Sequence, residues 1–164
     1  MESFDFIETT LMGSTAVIEL NRPRQLNSLN TKMISEIVVA MEAFDRDENV
    51  RVIVLIGKGR AFSAGADIDE MTEANPISLE LLNQFAEWDR LALIKKPIIG
   101  AVHGFVFGGG FELALCCDLL ISASNTEFSF PEVGLGVMPG AGGTQRLTKL
   151  AGRTKALEWL WTGE

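Results

Sequence analysis

Two glutamates stand out in a stretch with little charge. Between residues 97 and 145 the chain carries four charged side chains, Glu112, Asp118, Glu127 and Glu132, with no lysine or arginine, and ten of its 16 glycines. A carboxylate in so apolar a segment has no cation near it in sequence, so it must be exposed, hydrogen-bonded or kept for chemistry. Glu112 lies in the helical pattern Glu112-Leu113-Ala114-Leu115-Cys116, on one face with Cys116, and so points toward apolar surroundings. Glu132 follows Phe130-Pro131 and precedes Gly134, a strand-to-turn setting. Taken singly, Glu112 could be a structural hydrogen-bond acceptor and Glu132 a helix-start residue favoured by the dipole. As a pair they suit acid and base work, because desolvation lifts one pKa while the other carboxylate stays ionised.

Two small-residue segments could serve such a pair. Gly108-Gly109-Gly110 sits between a strand pattern and the Glu112 helix, where bare backbone N–H groups at a helix start attract developing negative charge. Alone, the same cluster fits a close-packed turn equally well. Ala61-Phe62-Ser63-Ala64-Gly65-Ala66-Asp67-Ile68 reads as a loop whose small side chains let a ligand approach the main chain, with Asp67 capping the turn that follows.

Other chemistries find no support. Gly140-Ala141-Gly142-Gly143-Thr144-Gln145 lacks the Gly-Lys-[Ser/Thr] of a phosphate-binding loop, and Gly134-x-Gly136 is followed by Pro139 rather than a third glycine, which argues against ATP and NAD. His103 is the only histidine and no Gly-x-Ser-x-Gly elbow is present, so His103 reads as a strand-end structural residue. One histidine and two adjacent cysteines serve a metal poorly.

These residues need a scaffold, and the sequence predicts an α/β one. Residues 3 to 11 and 14 to 21 read as a hairpin broken at Met12-Gly13. Ile34, Ile37, Val38, Met41 and Phe44 fall at helical spacing after an Asn30 or Thr31 cap, with Lys32, Glu36 and Glu42 on the other faces. Residues 50 to 56 form a β-branched run typical of a strand covered on both sides, and further strands are expected at 97 to 102 and 119 to 122. Helices are expected at 77 to 95, 109 to 117, 142 to 150 and 153 to 161. The last carries an apolar stripe of Leu157, Leu160 and Trp161.

Length and composition set the outer limits. A chain of 164 residues suits one domain with a sizeable core, and 47% hydrophobic with 22% charged residues excludes disorder and coiled coil. A net charge of -8 repels nucleic acid and offers no polybasic stretch for anionic lipid, and no apolar run approaches the ~18 residues of a membrane span. The amino terminus has neither a basic region nor an apolar one. With adjacent thiols poorly placed to bridge each other, a cytoplasmic protein with reduced cysteines is expected.

Taken together, residues 63 to 68, the run Ala101-Val102-His103-Gly104-Phe105-Val106-Phe107-Gly108-Gly109-Gly110-Phe111-Glu112-Leu113, Phe130-Pro131-Glu132-Val133-Gly134-Leu135-Gly136 and Gly143-Thr144-Gln145-Arg146-Leu147 closely resemble the enoyl-CoA hydratase/isomerase (crotonase) family. The resemblance implies a spiral of ββα units with two roughly perpendicular sheets surrounded by helices. It implies an oxyanion hole from the N–H groups of Ala66 and Gly109, a water held by Glu112 and Glu132 with help from Gly140, and acyl-CoA contacts from Arg24, Gln25, Leu26, Ala64, Asp67 and Ile68. It also implies reversible hydration of a 2-trans-enoyl-CoA without metal or redox cofactor, coenzyme A being part of the substrate. An isomerase of the same family and a catalytically weak CoA-binding fragment are the alternatives. Family members usually run about a hundred residues further, so residues 1 to 164 are expected to be one crotonase-like core cut before the helical oligomerisation region. On that expectation the 164-residue form exposes its terminal stripe, and the full-length chain forms a trimer or dimer of trimers.

Overall fold

A computed structural model describes residues 3–72 and 85–163. Strands β1 (Ile7–Met12) and β2 (Thr15–Leu20) form the expected antiparallel hairpin, with Met12 paired to Thr15 across a two-residue turn. Strands β3 (Val52–Gly57), β5 (Ile98–Val102) and β7 (Leu119–Ser122) then join β2 in parallel, giving a five-stranded sheet of order β1-β2-β3-β5-β7. In β3, expected to be covered on both sides, Ile53 and Leu55 are fully buried on one face while Val52, Val54 and Ile56 on the other are half-buried, so the second face is covered only in part.

Helix α1 (Thr31–Arg46) packs beside this sheet and starts at Asn30, whose side chain accepts from Met33 N at 2.8 Å. Met33, Ile37, Val38 and Met41 share the core with Ile18, Leu20, Ile53 and Leu55. Fully burying each such side chain stabilises the fold by roughly 1.5–3 kcal/mol. Glu36 departs from the sequence expectation. It is buried rather than turned to another face, because its carboxylate accepts from Asp5 N (3.1 Å) and Phe6 N (2.8 Å), which ties the chain entering β1 to the helix.

A second, smaller sheet holds the site. Strands β4 (Ala61–Ser63), β6 (Phe105–Phe107) and β8 (Glu127–Ser129) are three residues each and pair in parallel in the order β4-β6-β8. The segment from Ala61, expected as a loop, thus begins as a fully buried strand. Each short strand directly follows a strand of the large sheet, so the chain repeats a ββ step three times.

Helix α2 (Ile68–Thr72) follows the 64 to 67 loop, and α3 (Ala86–Leu91) carries the buried Trp88 and Leu91. Most of the helix expected at 77 to 95 lies outside the described residues or is irregular beyond Leu91. Helix α4 (Gly109–Ala114) ends three residues earlier than expected. The chain turns there so that Asp118 can exchange two bonds with Ile98, its N–H to Ile98 O and its Oδ2 from Ile98 N, both 2.8 Å, starting β7 beside β5. Burial pushes the free thiols of Cys116 and Cys117 up to about 11 and about 12, so both are inert.

Helices α5 (Gly143–Ala151) and α6 (Arg153–Thr162) close the described chain. The stripe on α6 expected to be exposed is exposed only in part. Ala156 is buried, Trp159 and Leu160 pack on the core with Trp159 6.3 Å from Phe111, Leu157 is half-buried, and Trp161 is 72% exposed. Among the described residues no helix is long and apolar enough to cross a membrane.

Candidate active site

The three short parallel strands end at one place, and each exit delivers one element of a site. After β4 come residues 64 to 67, after β6 comes Gly108 and the start of α4, and after β8 comes Phe130-Pro131-Glu132. Crevices beyond the carboxyl ends of parallel strands are where α/β folds bind ligands. A cavity of about 360 Å³ opens here, lined by Ala64, Ala66, Asp67, Ile68, Gly109, Glu112, Glu132 and Gly140 among others, with Phe85, Trp88, Leu135, Val137 and Met138 adding apolar surface.

The backbone donors come from two segments in near contact. A Cβ built on Gly65 would lie 3.6 Å from Gly109 N, and one built on Gly109 would lie 3.4 Å from Ala66 N. Gly109 opens α4, so its N–H has no partner within the helix. Ala66 pairs with Leu29 as an isolated parallel bridge through its neighbours, Gly65 O and Asp67 N, which leaves its own N–H on the opposite side. Among the described residues neither N–H meets an acceptor.

Glu112 sits in the first turn of α4 at 3% exposure. Its Oε1 accepts from Ala141 N (2.8 Å) and Gly143 N (2.7 Å), two amides of the loop that leads into α5. Arg146 holds that loop by donating to Ala141 O at 2.8 Å. Desolvation lifts the Glu112 pKa to about 7; the two amides and Arg146 pull against it, and the nearby Glu132 carboxyl adds to it. Glycine is required at 143, because a Cβ there would come within 2.9 Å of Glu112 Cγ and Phe130.

Glu132 lies in a 3-10 turn (Pro131–Leu135) and is half-buried. Its Oε2 is fully buried and among the described residues meets no hydrogen-bond partner, an arrangement that costs of order 1–3 kcal/mol. Burial raises its pKa too, against the pull of its own N–H. The carboxyl rests on Gly108, where a Cβ would sit 2.8 Å from Glu132 Oε1 and where φ 49°, ψ -123° is open only to glycine.

Of the residues predicted from sequence, Glu112, Glu132, Ala66, Gly109, Gly140, Ala64, Asp67 and Ile68 meet at this cavity. Arg24 and Gln25 do not line it; they lie exposed in a 3-10 turn (Pro23–Gln25), and half-buried Leu26 connects to the site only through Leu26 O, which accepts from Ala64 N at 2.9 Å. Asp67, expected as a turn cap, forms an ion pair with Arg22 at 2.7 Å. His103 has the structural place expected of it, with Nε2 2.9 Å from Gly59 O. The sequence reading missed Arg22 and Asn27. Their bonds to each other and to Ser28 are local, but the partners that tie them to the site, Asp67, Lys58 and Ala61, lie dozens of residues away.

The family model for enoyl-CoA hydratase/isomerase matches residues 11–164. A probable enoyl-CoA hydratase of Rhizobium meliloti is 43% identical over 161 residues, covering 98% of this chain and 63% of the relative. The mitochondrial enoyl-CoA hydratase of Pongo abelii is 42% identical, covering 99% of this chain and 57% of its own. Among solved structures, an enoyl-CoA hydratase subunit I from Geobacillus kaustophilus superposes with a TM-score of 0.97 at 62% identity, over 99% of this chain and 63% of that one. The chain therefore spans about three fifths of the length of the relatives it matches.

Proposed function

The chain belongs to the enoyl-CoA hydratase/isomerase family, and on that premise we propose that its cavity binds the thioester end of a 2-trans-enoyl-CoA and adds water reversibly across the double bond. One observation carries this reading: two desolvated carboxyl groups face a cavity that also presents two unpartnered backbone N–H groups.

The thioester oxygen lies between Ala66 N–H and Gly109 N–H. As water adds at C3, electron density moves onto that oxygen, and donors fixed in advance favour the enolate over the ground-state carbonyl; one such donor is worth ~10²- to 10³-fold in rate. Glu112 takes the proton of the attacking water and Glu132 gives a proton to C2. The products are a 3-hydroxyacyl-CoA and a pair of glutamates whose protonation states have been exchanged. Gly140 helps to hold the water. Ala64, Asp67 and Ile68 border the acyl-CoA, and Arg24, Gln25 and Leu26 extend its contacts outside the cavity. The chemistry is addition of water, a C3–O bond formed as the C2–C3 π bond is lost, with two proton transfers and no net change of oxidation state, and it calls for neither metal nor redox cofactor.

We extend the proposal to assembly and compartment. Exposed Leu119 and Ile121 on β7, with Leu150 and Trp161, support a trimer or dimer of trimers for the full-length protein. The free, protonated thiols support a reducing cytoplasm. Loss of the conjugated-thioester absorbance of crotonyl-CoA tests the activity directly. A 3-enoyl-CoA converted to its 2-isomer while crotonyl-CoA stays unhydrated would replace this reading with isomerisation.

A further inference from the structure

The two backbone donors are held by unequal means. Gly109 is the first residue of a helix, whereas Ala66 lies in a connecting segment and takes its direction from a short ladder with residues 26 to 29: Ala64 N to Leu26 O (2.9 Å), Leu29 N to Gly65 O (2.8 Å) and Asp67 N to Leu29 O (3.0 Å). That ladder is built on two non-glycine residues in left-handed conformation, Leu26 (φ 52°) and Asn27 (φ 54°), a strained stretch that persists only when its surroundings over-determine it.

Arg22 supplies the determination. Its N–H donates to Oδ1 of the fully buried Asn27 at 2.8 Å, while Asn27 Nδ2 donates to Lys58 O and Ala61 O, both at 2.9 Å. The Arg22 guanidinium then spans the ladder, with Nη1 donating to Ser28 O (2.7 Å), Ser28 Oγ (3.2 Å) and Asp67 Oδ2 (2.7 Å), and its Cζ lies 5.1 Å from the Phe6 ring centre. Both side chains are 14% exposed, so water competes weakly for the pair.

We propose that Arg22 and Asp67 are positioning residues which fix the register of this ladder and so aim the Ala66 N–H at the substrate carbonyl. The proposal rests on the hydratase reading for what Ala66 does, but not for where it points. In the full-length protein, Asp67→Asn and Arg22→Gln should each lower kcat for crotonyl-CoA about tenfold, part of what one oxyanion donor is worth, with KM within about threefold of wild type. The double variant should be no worse than the poorer single one, because the two act as one device. The long-wavelength shift of a bound 2,4-dienoyl-CoA, which reports polarisation of its carbonyl, should shrink in step. Arg22→Lys, which keeps the charge but loses the fork, should fall between wild type and Arg22→Gln and serves if Arg22→Gln does not fold.

The amide resonances of the ligand-free protein separate this proposal from the functional one. In Asp67→Asn the Ala66 amide should move and the Gly109 amide should not. A wild-type protein that fails to hydrate crotonyl-CoA sinks the functional reading, while the Ala66 resonance still decides the positioning role. An unmoved Ala66 amide, a rise in KM alone, or a drop in melting temperature with kcat unchanged overturns it.

Discussion

Glu112 and Glu132 face one cavity from opposite kinds of seat. Glu112 is anchored: a helix carries it, two backbone amides grip one oxygen, and a guanidinium holds the loop that supplies those amides. Glu132 is merely placed: a 3-10 turn carries it, one oxygen rests on Gly108 and the other is buried with no partner among the described residues. The contrast teaches how one fold separates two chemically identical groups. Amide bonds favour the carboxylate of Glu112 and limit a rise that burial would otherwise drive further, whereas burial raises Glu132 with only its own N–H pulling against it.

The largest test of the contrast removes one carboxylate at a time. Glu112→Gln and Glu132→Gln should each lower crotonyl-CoA hydration by ~10²-fold or more, as expected for general acid and base groups. Near-wild-type turnover in either variant would contradict the roles assigned. The two seats can then be disturbed without touching the glutamates. Gly108→Ala should cost more activity than Gly143→Ala, because it combines a backbone conformation closed to alanine with a clash against Glu132, while the Gly143 change only crowds Glu112 and Phe130. Steady-state rates on folded variants check the order, and the reverse order would mean that the amide grip matters more than the placement of Glu132.

Stability should distinguish the seats next. The Glu112 pKa rises from 4.5 in the unfolded chain to about 7 in the folded one, so its contribution is fully present below pH 4.5 and lost as pH climbs through 7, a loss of about 3 kcal/mol. Glu112→Gln, neutral throughout, should escape that loss and gain on wild type between pH 4.5 and 7 by up to about 3 kcal/mol, as read by denaturant melts. A gap that stays constant with pH would remove burial as the cause. The smallest effect is electrostatic. Glu132 adds to the Glu112 shift, so Glu132→Gln should move the Glu112 titration to lower pH. Carboxyl NMR would show it, and the acid limb of kcat/KM, expected near 7 in wild type, should move the same way. A titration that moves upward would reverse the assumed coupling.

Much of this site was legible because its chemistry depends on residue types that are rare in their surroundings. Two glutamates in an uncharged stretch and glycines before a helix declare themselves wherever their partners lie. The large sheet was legible for a different reason, its strands being long enough to show β-branched runs. Strands β4, β6 and β8 were not, since three residues carry no period and their pairing joins Ala61 to Phe105 and Val106 to Phe128 across 44 and 22 residues. The same distance hid Glu36, which reaches back to Asp5 and Phe6, and Arg22, which reaches forward to Asp67. On α6 the stripe expected to be exposed is so only at Trp161, because Leu157 and Leu160 turn part of their surface toward the chain, Leu160 against the core.

The small sheet has a consequence for how such a protein can change over generations. Its strands lead to Ala66, Gly109 and Glu132 through three separate connections, while Phe62 and Val106 on β4 and β6 pack into the same core as Ile18 and Leu55 of the large sheet. A substitution, insertion or exchange in one connection acts first on one wall of the cavity, and reaches the others only through the contacts at Gly108 and Gly109. Under the proposed hydration, a change in the connection after β8 would vary the acid while the strands that carry the two donors persist.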